Sequence, residues 1–408
     1  MTAPARVSDP GQTPTGALAS ERPLRVLLLL RDLTRGGATR LALSLFDAVA
    51  HEVSIRSIAW EGGPLESDFR RLGRLDVLWS YPDLLSFPRA AAERRMAGMV
   101  AGRMRMPLVG WSARQSGPQL VYANSIRSLH LVPRLGLMDY PVVLHVHELS
   151  VALDGFEAAN PGLIRAVPRH YIAVSEAVAS ALVVDFKVDP GSISVIPPLV
   201  APPLNVVTRQ AREGVYTVGG MGNLTWTKGG LLWLLAARDL VDEVGQENVR
   251  FRWVGVRDND EGRQFKVMVG KLELTHLVDL VPETSDPMGE LSTFDVLAMT
   301  SWEESASLVV LEAMAQGVPV ICFRGAGGPE ELIGDTGIIV DGFSPRGMAQ
   351  AIAALRGHPD HAERLRGDAT LRVQARFSRD VVIPQWAAVF RREAEKARMS
   401  VGLRRGRA

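Results

Sequence analysis

The chain has 408 residues, of which 47% are hydrophobic and 22% charged, and its formal net charge is +1. This length allows two or three domains with cores of their own, and the composition excludes a fibrous or wholly disordered protein. The near-neutral charge excludes bulk electrostatic attraction to nucleic acid. The single cysteine excludes an internal disulfide and suits a reducing cytoplasm.

Residues 1–22 are rich in proline, alanine, threonine, serine and glycine. We expect a disordered leader there, because such a segment buries too little apolar surface to fold. The first apolar run, residues 26–30, ends at Arg31 and Asp32 and therefore has the length of a strand. It is too short for a membrane span or a signal peptide, so we expect a cytoplasmic protein.

From residue 24 onward, short apolar runs alternate with helical patterns in two series. The first series predicts strands at 25–30, 53–59, 119–122, 142–146 and 171–174. The second predicts strands at 215–218, 251–255, 278–281, 296–299, 318–323 and 338–340. Because such continuous runs separated by helices are typical of parallel sheets, we predict an α/β protein with two Rossmann-like domains facing across a cleft. The predicted boundaries are 23–203 and 204–378, with a terminal helix and basic tail at 379–408.

Two loops of the first domain carry candidate ligand-binding residues. Gly36 and Gly37 follow the first strand and precede a helix, where glycine lets the backbone approach a ligand closely. A plain tight turn explains this pair equally well. His147 follows the strand predicted at 142–146, and its imidazole can donate or accept a hydrogen bond near neutral pH. A purely structural histidine is the alternative.

The second domain opens with a glycine-rich segment, residues 219–229, that contains Asn223 and Lys228. A lysine placed after such a turn can bind phosphate, particularly beside the free N–H groups of a helix start. An isolated lysine of this kind is otherwise a solvated surface residue.

Glu304 and Glu312 stand on either side of a predicted helix start, and the helix leads into an apolar strand. We expect Ser305 or Ser307 to cap the first turn, and the free N–H groups there to form an anion site. Ionised carboxylates accept hydrogen bonds from pairs of hydroxyl groups. The layout predicts a ligand with a phosphate between two polyhydroxylated parts, such as a nucleotide-sugar.

These motifs resemble those of the family 4 glycosyltransferases, in particular the enzymes of bacterial polysaccharide synthesis. The run from Glu304 to residue 321 is similar to the E-x7-E signature of that family, and His147-Glu148 to its H-D/E position. Residues 36–37 resemble its GG loop, and residues 219–229 resemble its G-R-x-x-x-x-K-G element, with Asn223 where arginine is usual. The resemblance spans about residues 24–395.

The resemblance implies a GT-B fold with an acceptor-side first domain, a nucleotide-sugar-binding second domain and a terminal helix that crosses back onto the first. It implies retaining, metal-independent transfer of a hexosyl or deoxyhexosyl unit to a glycan, lipid-linked or small-molecule acceptor. The nucleotide-sugar is then a substrate, and no cofactor is expected. Catalytic roles are implied for His147 and Glu304, which would contact the donor sugar. Donor binding is implied for Gly36, Gly37, Asn223, Lys228, Ser307, Leu308, Val309 and Glu312, with Glu312 on the ribose hydroxyls.

An arginine-rich segment lies within the first domain. Its arginines are Arg89, Arg94, Arg95, Arg103, Arg105 and Arg114, and Glu93 is its one acidic residue. The segment can lie peripherally on the inner face of an anionic membrane or grip a polyprenyl-diphosphate acceptor. A solvated helix with an apolar core face is the alternative.

The sequence lacks the motifs of several other functional classes. No H-E-x-x-H or cysteine cluster is present, and the D-x-D letters at Asp258 and Asp260 fall in a predicted surface loop, so we expect no metal. The absence of G-x-S-x-G and G-K-[ST] argues against serine hydrolases and P-loop ATPases. A nucleotide-sugar epimerase or hydrolase would need further acid–base groups. A non-catalytic partner subunit of the same fold is the second alternative, favoured by Asn223.

Overall fold

The protein is described here by a computed structural model that covers residues 23–79, 104–200 and 214–405. The leader at 1–22 and most of the arginine-rich segment lie outside the described residues. The N-terminal half contains β1 (Leu24–Leu30), α1 (Gly37–Ala48), β2 (Val53–Glu61), α2 (Glu66–Leu72), β3 (Gly73–Trp79), α3 (104–115), β4 (Leu120–Asn124), α4 (Ile126–Leu129), α5 (Leu131–Arg134), β5 (Val142–Val146), α6 (Ser150–Ala159), α7 (Leu163–Ala166), β6 (His170–Ala173), α8 (Glu176–Val184) and β7 (Ile193–Val195).

The C-terminal half repeats the alternation of strand and helix. It contains β8 (Tyr216–Met221), α9 (Gly230–Val244), β9 (Val249–Val254), α10 (Asp260–Lys271), β10 (Val278–Val281), α11 (Pro287–Leu291), β11 (Val296–Met299), α12 (Leu308–Ala315), β12 (Val320–Phe323), α13 (Gly328–Ile333), β13 (Ile338–Val340), α14 (Pro345–Gly357), α15 (Pro359–Arg376) and α16 (Arg379–Arg405).

The strands form two separate sheets in which every pairing is parallel. The first has the order β3-β2-β1-β4-β5-β6-β7 and the second the order β10-β9-β8-β11-β12-β13. In both, the chain runs outward from a central strand and then reverses to the other side, as in doubly wound nucleotide-binding folds. The predicted fold class, two Rossmann-like α/β domains, is confirmed.

Burial of β1 on both faces explains its uninterrupted apolar sequence. Leu27 and Leu29 belong to the core on one face of the sheet, and Leu28 and Leu30 to the core on the other. All four side chains are completely buried. A run of leucines is therefore the expected sequence of a central parallel strand covered by helices on both sides.

The sequence pattern missed the two edge strands of the first sheet, β3 and β7. β3 carries Arg74 and Asp76, so its apolar run is broken, and β7 has three residues that are all half-buried. Edge strands pack on one side only and need less apolar sequence, so composition signals them weakly.

The terminal helix α16 packs on the N-terminal domain. Trp386 is completely buried, and it lies with Phe390 in the same core as Phe46 and Tyr122. The indole N–H of Trp386 donates to the hydroxyl of Tyr122 over 3.1 Å. The last helix thus completes the first domain, and the chain crosses between the domains twice.

Direct polar contacts also join the two domains beside the cleft. The carboxylate of Glu331, in α13, accepts hydrogen bonds from the backbone N–H groups of Glu176 and Ala177, each over 2.8 Å. These N–H groups are the first of α8, so a side chain of one domain caps a helix of the other. Ser305 adds a hydrogen bond from its hydroxyl to the backbone oxygen of His147 over 2.6 Å.

Candidate functional site

A cavity of about 850 Å³ lies between the domains and faces the carboxyl ends of both sheets. Ligands of doubly wound sheets bind in this position, because the loops that follow the strands converge there. The lining includes all the residues predicted for the site, namely Gly36, Gly37, His147, Asn223, Lys228, Glu304, Ser307, Leu308, Val309 and Glu312.

The amino ends of α1 and α12 meet inside this cavity. A Cβ atom on Gly37 would lie 3.5 Å from Leu308 Cδ1, in ordinary van der Waals contact. Neither helix has an acidic residue in its first turn or a side chain bonded to its first N–H groups. Since both helix dipoles present their positive ends here, the two helix starts together favour an anion.

The expected serine caps of α12 are wrong. Ser307 occupies the N-cap position, but its hydroxyl makes no hydrogen bond among the described residues. Ser305 is engaged by the backbone of the N-terminal domain instead. The first N–H groups of α12 consequently remain free for a ligand. Gly36, with φ at −63°, has an ordinary helix-entry conformation, and a Cβ there would meet only Thr34 Oγ1, at 3.6 Å, so neither its backbone nor its surroundings require glycine.

Glu304 is fixed by a glycine-rich loop and by Lys228. Its backbone N–H donates to Ala326 and its carbonyl accepts from Gly328, each over 2.8 Å. A Cβ on Gly328 would lie 2.1 Å from the backbone oxygen of Ser305, so this approach requires glycine. The Glu304 carboxylate forms an ion pair with the Lys228 ammonium. The two predicted residues therefore lie together at one end of the cavity.

Glu312 is only 4% exposed and makes a contact that the sequence did not indicate. Its Oε1 accepts a hydrogen bond from Arg40 Nη2 of α1 over 2.7 Å, whereas its Oε2 has no partner among the described residues. Burial raises the pKa of Glu312, and the positive charge of Arg40 opposes that shift. Oε2 is thus a buried acceptor without a partner among the described residues, in a side chain that lines the cavity.

Arg40 could have been found from its position. It stands four residues after Gly36 on α1, so its side chain lies above the helix start that enters the cleft. Its partner, Glu312, belongs to the other domain, and a single sequence does not reveal such a pairing.

His147 is held by Asn124 in a defined protonation state. The Asn124 amide nitrogen donates to Ala38 O over 3.1 Å, which leaves its oxygen to face His147 Nε2 at 3.2 Å. Because that oxygen can only accept, we assign the proton of the imidazole to Nε2. Burial lowers the pKa of His147 to about 3, so the ring is neutral and its Nδ1 is an acceptor.

A buried network supports His147 from behind. The ring of His145 lies against that of His147, with centroids 4.0 Å apart. His145 Nδ1 is 2.5 Å from the hydroxyl of Tyr122, which in turn accepts from Trp386 of α16. The terminal helix therefore contributes to the placement of the site.

The two walls of the cavity differ in charge. Among the described residues that line it, Lys228 is the only cation from the C-terminal domain, and Asn223 makes no side-chain hydrogen bond. The N-terminal wall contributes the arginines Arg31, Arg35, Arg40 and Arg127. The C-terminal wall also carries Glu283, Glu304 and Glu312, so its own charge is negative.

Two further regions bear on the sequence predictions. Asn259, between the D-x-D aspartates, caps α10 through a 3.0 Å bond from Gly262 N–H, and the described residues contain no cluster of metal-ligating side chains. Of the arginine-rich segment, residues 104–114 are described and lie in α3, which exposes Met104, Leu108 and Trp111. Within the described ranges, no helix has the length and apolar content needed to cross a bilayer.

Family models match both halves of the chain. The model for "Glycosyltransferase Family 4" matches residues 35–202, and the model for "Glycosyl transferases group 1" matches residues 215–358. The chain belongs to the family 4 glycosyltransferases. The resemblance predicted from the motifs is thereby confirmed, and both halves of the family pattern are present.

Curated relatives agree with this assignment. The D-inositol 3-phosphate glycosyltransferase of Corynebacterium glutamicum (strain R) is 29% identical over 201 residues, which are 45% of this chain and 48% of that protein. The chain spans about half the length of the curated relatives it matches.

Solved structures with a similar fold cover almost the whole chain. Anabaena HepE, solved in complex with UDP and glucose, has a TM-score of 0.74 at 18% identity and covers 90% of this chain and 99% of its own. WaaG, a glycosyltransferase involved in lipopolysaccharide biosynthesis, has a TM-score of 0.66 at 16% identity, with 90% and 98% covered. At these identities the likeness establishes the GT-B fold of the family.

Proposed function

We propose that this family 4 member is a retaining glycosyltransferase that moves a hexosyl or deoxyhexosyl unit from a nucleotide-sugar to a glycan, lipid-linked or small-molecule acceptor. The observation that carries the proposal is the convergence in one cavity of two free helix starts, Lys228, and the carboxylates Glu304 and Glu312. Such a site matches a diphosphate flanked by two groups that carry hydroxyls.

The donor docks mainly on the C-terminal domain in this proposal. The unpartnered Oε2 of Glu312 accepts a hydrogen bond from a ribose hydroxyl. The diphosphate lies on the N–H groups of Leu308 and Val309 and on the ammonium of Lys228. The base lies near residues 281–284, of which Glu283 and Thr284 line the cavity.

The sugar lies between Glu304 and His147. Glu304 accepts from sugar hydroxyls, and the neutral His147 accepts at Nδ1 while Asn124 holds Nε2. The acceptor oxygen bonds to the anomeric carbon on the face from which the diphosphate leaves. The bond from that carbon to the phosphate oxygen breaks, and a phosphate oxygen takes the acceptor proton.

Fixed positive charge stabilises the leaving diphosphate in this mechanism. Lys228 and the amino ends of α1 and α12 are preorganised around the position of the departing charge, which lowers the barrier without reorganisation at the moment of reaction. This arrangement supports metal-independent transfer.

The proposed setting is surface-polysaccharide synthesis in the cytoplasm or at the inner face of the membrane. The support is the similarity of residues 300–323 to bacterial polysaccharide enzymes and the shared fold with WaaG. Peripheral membrane contact through residues 89–114 is part of this proposal, and the exposed side chains of Met104, Leu108 and Trp111 support it.

A thermal-shift panel of UDP, GDP, dTDP, ADP and CMP tests the donor site. A nucleotide at one hundred times its Kd stabilises the folded protein by about 2.7 kcal/mol, so one of them should raise the Tm clearly. Glu312→Ala should abolish the shift. Glu363→Ala, at a side chain that is 83% exposed on α15, is the matched control and should keep it.

The corresponding nucleotide-sugars then test the reaction. Transfer in the presence of EDTA, with the anomeric configuration of the product matching that of the donor by NMR, is the expected result. Donor consumption without an acceptor would favour the hydrolase or epimerase alternative. A well-folded protein that no nucleotide stabilises would contradict the proposal and favour a non-catalytic subunit.

A further inference from the structure

The diphosphate position of this chain has one positive charge fewer on the C-terminal wall than the family motif that it resembles. Asn223 stands where the matched family motif has arginine, and an asparagine amide carries no charge. Lys228 remains, but it is already paired with Glu304. With Glu312 also on this wall, two carboxylates face one ammonium at the place proposed for an anionic ligand.

Arg40 enters the same position from the opposite domain. Its Nη2 contacts Glu312 Oε1 at 2.7 Å, and its side chain is 43% exposed toward the cavity that it lines. A guanidinium has five N–H donors, and this bond is the one side-chain hydrogen bond of Arg40 among the described residues. The remaining donors are available to a ligand.

The position of Arg40 relative to the helix starts brings these donors close to the proposed diphosphate. Glu312 is four residues from Leu308, which is about 6 Å along α12 at 1.5 Å per residue, and helical side chains lean toward the helix start. The side chain of Arg40 leans in the same way toward the start of α1, where a Cβ on Gly37 would lie 3.5 Å from Leu308 Cδ1. Both side chains thus converge in front of the two helix starts.

We propose that Arg40 is a donor-binding residue that supplies the second cation of the diphosphate site in place of the arginine missing at Asn223. Its guanidinium keeps one N–H on Glu312 and gives others to the diphosphate, while Glu312 Oε2 binds the ribose. A bound nucleoside diphosphate is then held by both domains at once. This inference rests on the proposed function and adds a residue of the N-terminal domain to the donor site.

Isothermal titration calorimetry with UDP, GDP, dTDP and ADP, each beside its monophosphate and its nucleoside, tests the proposal. Arg40→Gln should weaken binding of the recognised diphosphate about 10- to 100-fold, because a charge-assisted hydrogen bond is lost. Binding of the nucleoside should change less than about threefold, since Glu312 retains its ribose contact. Arg71→Gln, in α2 at a side chain that is 72% exposed, is the matched control and should leave all affinities unchanged.

A rescue experiment separates charge supply from a structural role. Asn223→Arg in the Arg40→Gln background should recover at least about tenfold of the lost diphosphate affinity, because it returns a guanidinium to the same ligand from the other wall. Residue 223 belongs to the same domain as Glu312, so the added arginine does not rebuild the bond between the domains that Arg40 makes with Glu312. If Arg40→Gln folds poorly, Arg40→Lys replaces it. Lysine keeps the positive charge but lacks the planar, bidentate donors of a guanidinium, so diphosphate affinity should fall by less than the about 10- to 100-fold expected when the charge is removed.

The outcomes distinguish this inference from the proposed function. Equal losses for nucleoside and diphosphate would overturn the inference, because Arg40 would then act only by holding Glu312. Unchanged diphosphate affinity in Arg40→Gln, or no rescue by Asn223→Arg, would also overturn the inference. Neither result would contradict the proposed donor site. A wild-type protein that binds none of UDP, GDP, dTDP, ADP and CMP would instead contradict the proposed function.

Discussion

The two walls of the cleft contribute different groups to the candidate ligand site. The C-terminal wall carries Glu304, Glu312 and Lys228 within one domain, and these residues lie on α12 and on loops that glycine holds in close contact. The N-terminal wall carries most of the positive charge and the histidine, and its key residues act through partners on other elements. The groups of the C-terminal wall are brought together within one domain, whereas those of the N-terminal wall depend on contacts with other elements, including the C-terminal domain.

The largest expected effect comes from removing Lys228 from the C-terminal wall. Lys228→Ala removes a fixed positive charge beside the leaving diphosphate, and we expect kcat/KM to fall about 100- to 1,000-fold. Steady-state kinetics with the recognised nucleotide-sugar measures this loss. Lys266→Ala, on the exposed face of α10, is the control and should retain full activity. A loss smaller than about tenfold would mean that the helix starts carry the diphosphate without Lys228.

The N-terminal wall can be weakened at Asn124, which lines the cavity and orients His147. In Asn124→Ala the imidazole loses the partner of Nε2, and we expect kcat to fall about tenfold, the value of one buried hydrogen bond. ¹⁵N NMR of the histidine ring should show the tautomer change from a pure Nε2–H form to a mixture. An unchanged tautomer would contradict the assignment drawn from the Asn124 contacts.

The contact between the domains at Glu331 should have a smaller effect. Glu331→Ala leaves the first N–H groups of α8 without their acceptor, and we expect the free energy of unfolding to fall by about 1–2 kcal/mol. Glu331→Gln keeps one acceptor oxygen and should lose less. Thermal midpoints of the wild type and both variants test this ranking, and equal midpoints would show that water replaces the carboxylate at no cost.

The smallest expected effect is that of pH on His147. Because its pKa is lowered to about 3, the imidazole stays neutral from pH 5 to 9, and the rate profile should show no limb near 6.5 from this residue. Asn124→Asp keeps an acceptor at Nε2 but adds a negative charge, which favours the protonated ring and should create such a limb. A limb near 6.5 in the wild type that His147→Gln removes would contradict the neutral form.

Glu312, in contrast, should make the affinity for the nucleotide depend on pH on the acid side. Its pKa is raised by burial, so the carboxyl takes up a proton at a pH above the usual range of a glutamate. Affinity for the nucleotide should therefore fall on acidification through that raised pKa, because the protonated form is a weaker acceptor. Arg40→Gln removes the charge that opposes the shift and should move this loss of affinity to a still higher pH. Titration calorimetry between pH 5 and 8 measures both.

The fold could be predicted from sequence because its signal is repeated along the chain. Buried parallel strands such as β1 and β12 need apolar residues on both faces, so each appears as an apolar run. The edge strands β3 and β7 were not predicted from such runs, because they are packed on one side or only half-buried. Packing of α16 on Phe46 and Tyr122 was implied by family resemblance and by nothing in the composition of the helix.

The sequence by itself determined the residues that a single motif holds together. Glu304, Glu312 and the start of α12 lie within nine consecutive positions, and helix geometry fixes their relative placement. Only the tertiary structure decided which groups stay free. Ser307 leaves the first N–H groups of α12 unbonded, and Arg40 reaches Glu312 across 272 positions of chain. Contacts of that kind depend on how two domains pack, and packing follows from the shape of every buried surface rather than from any local pattern.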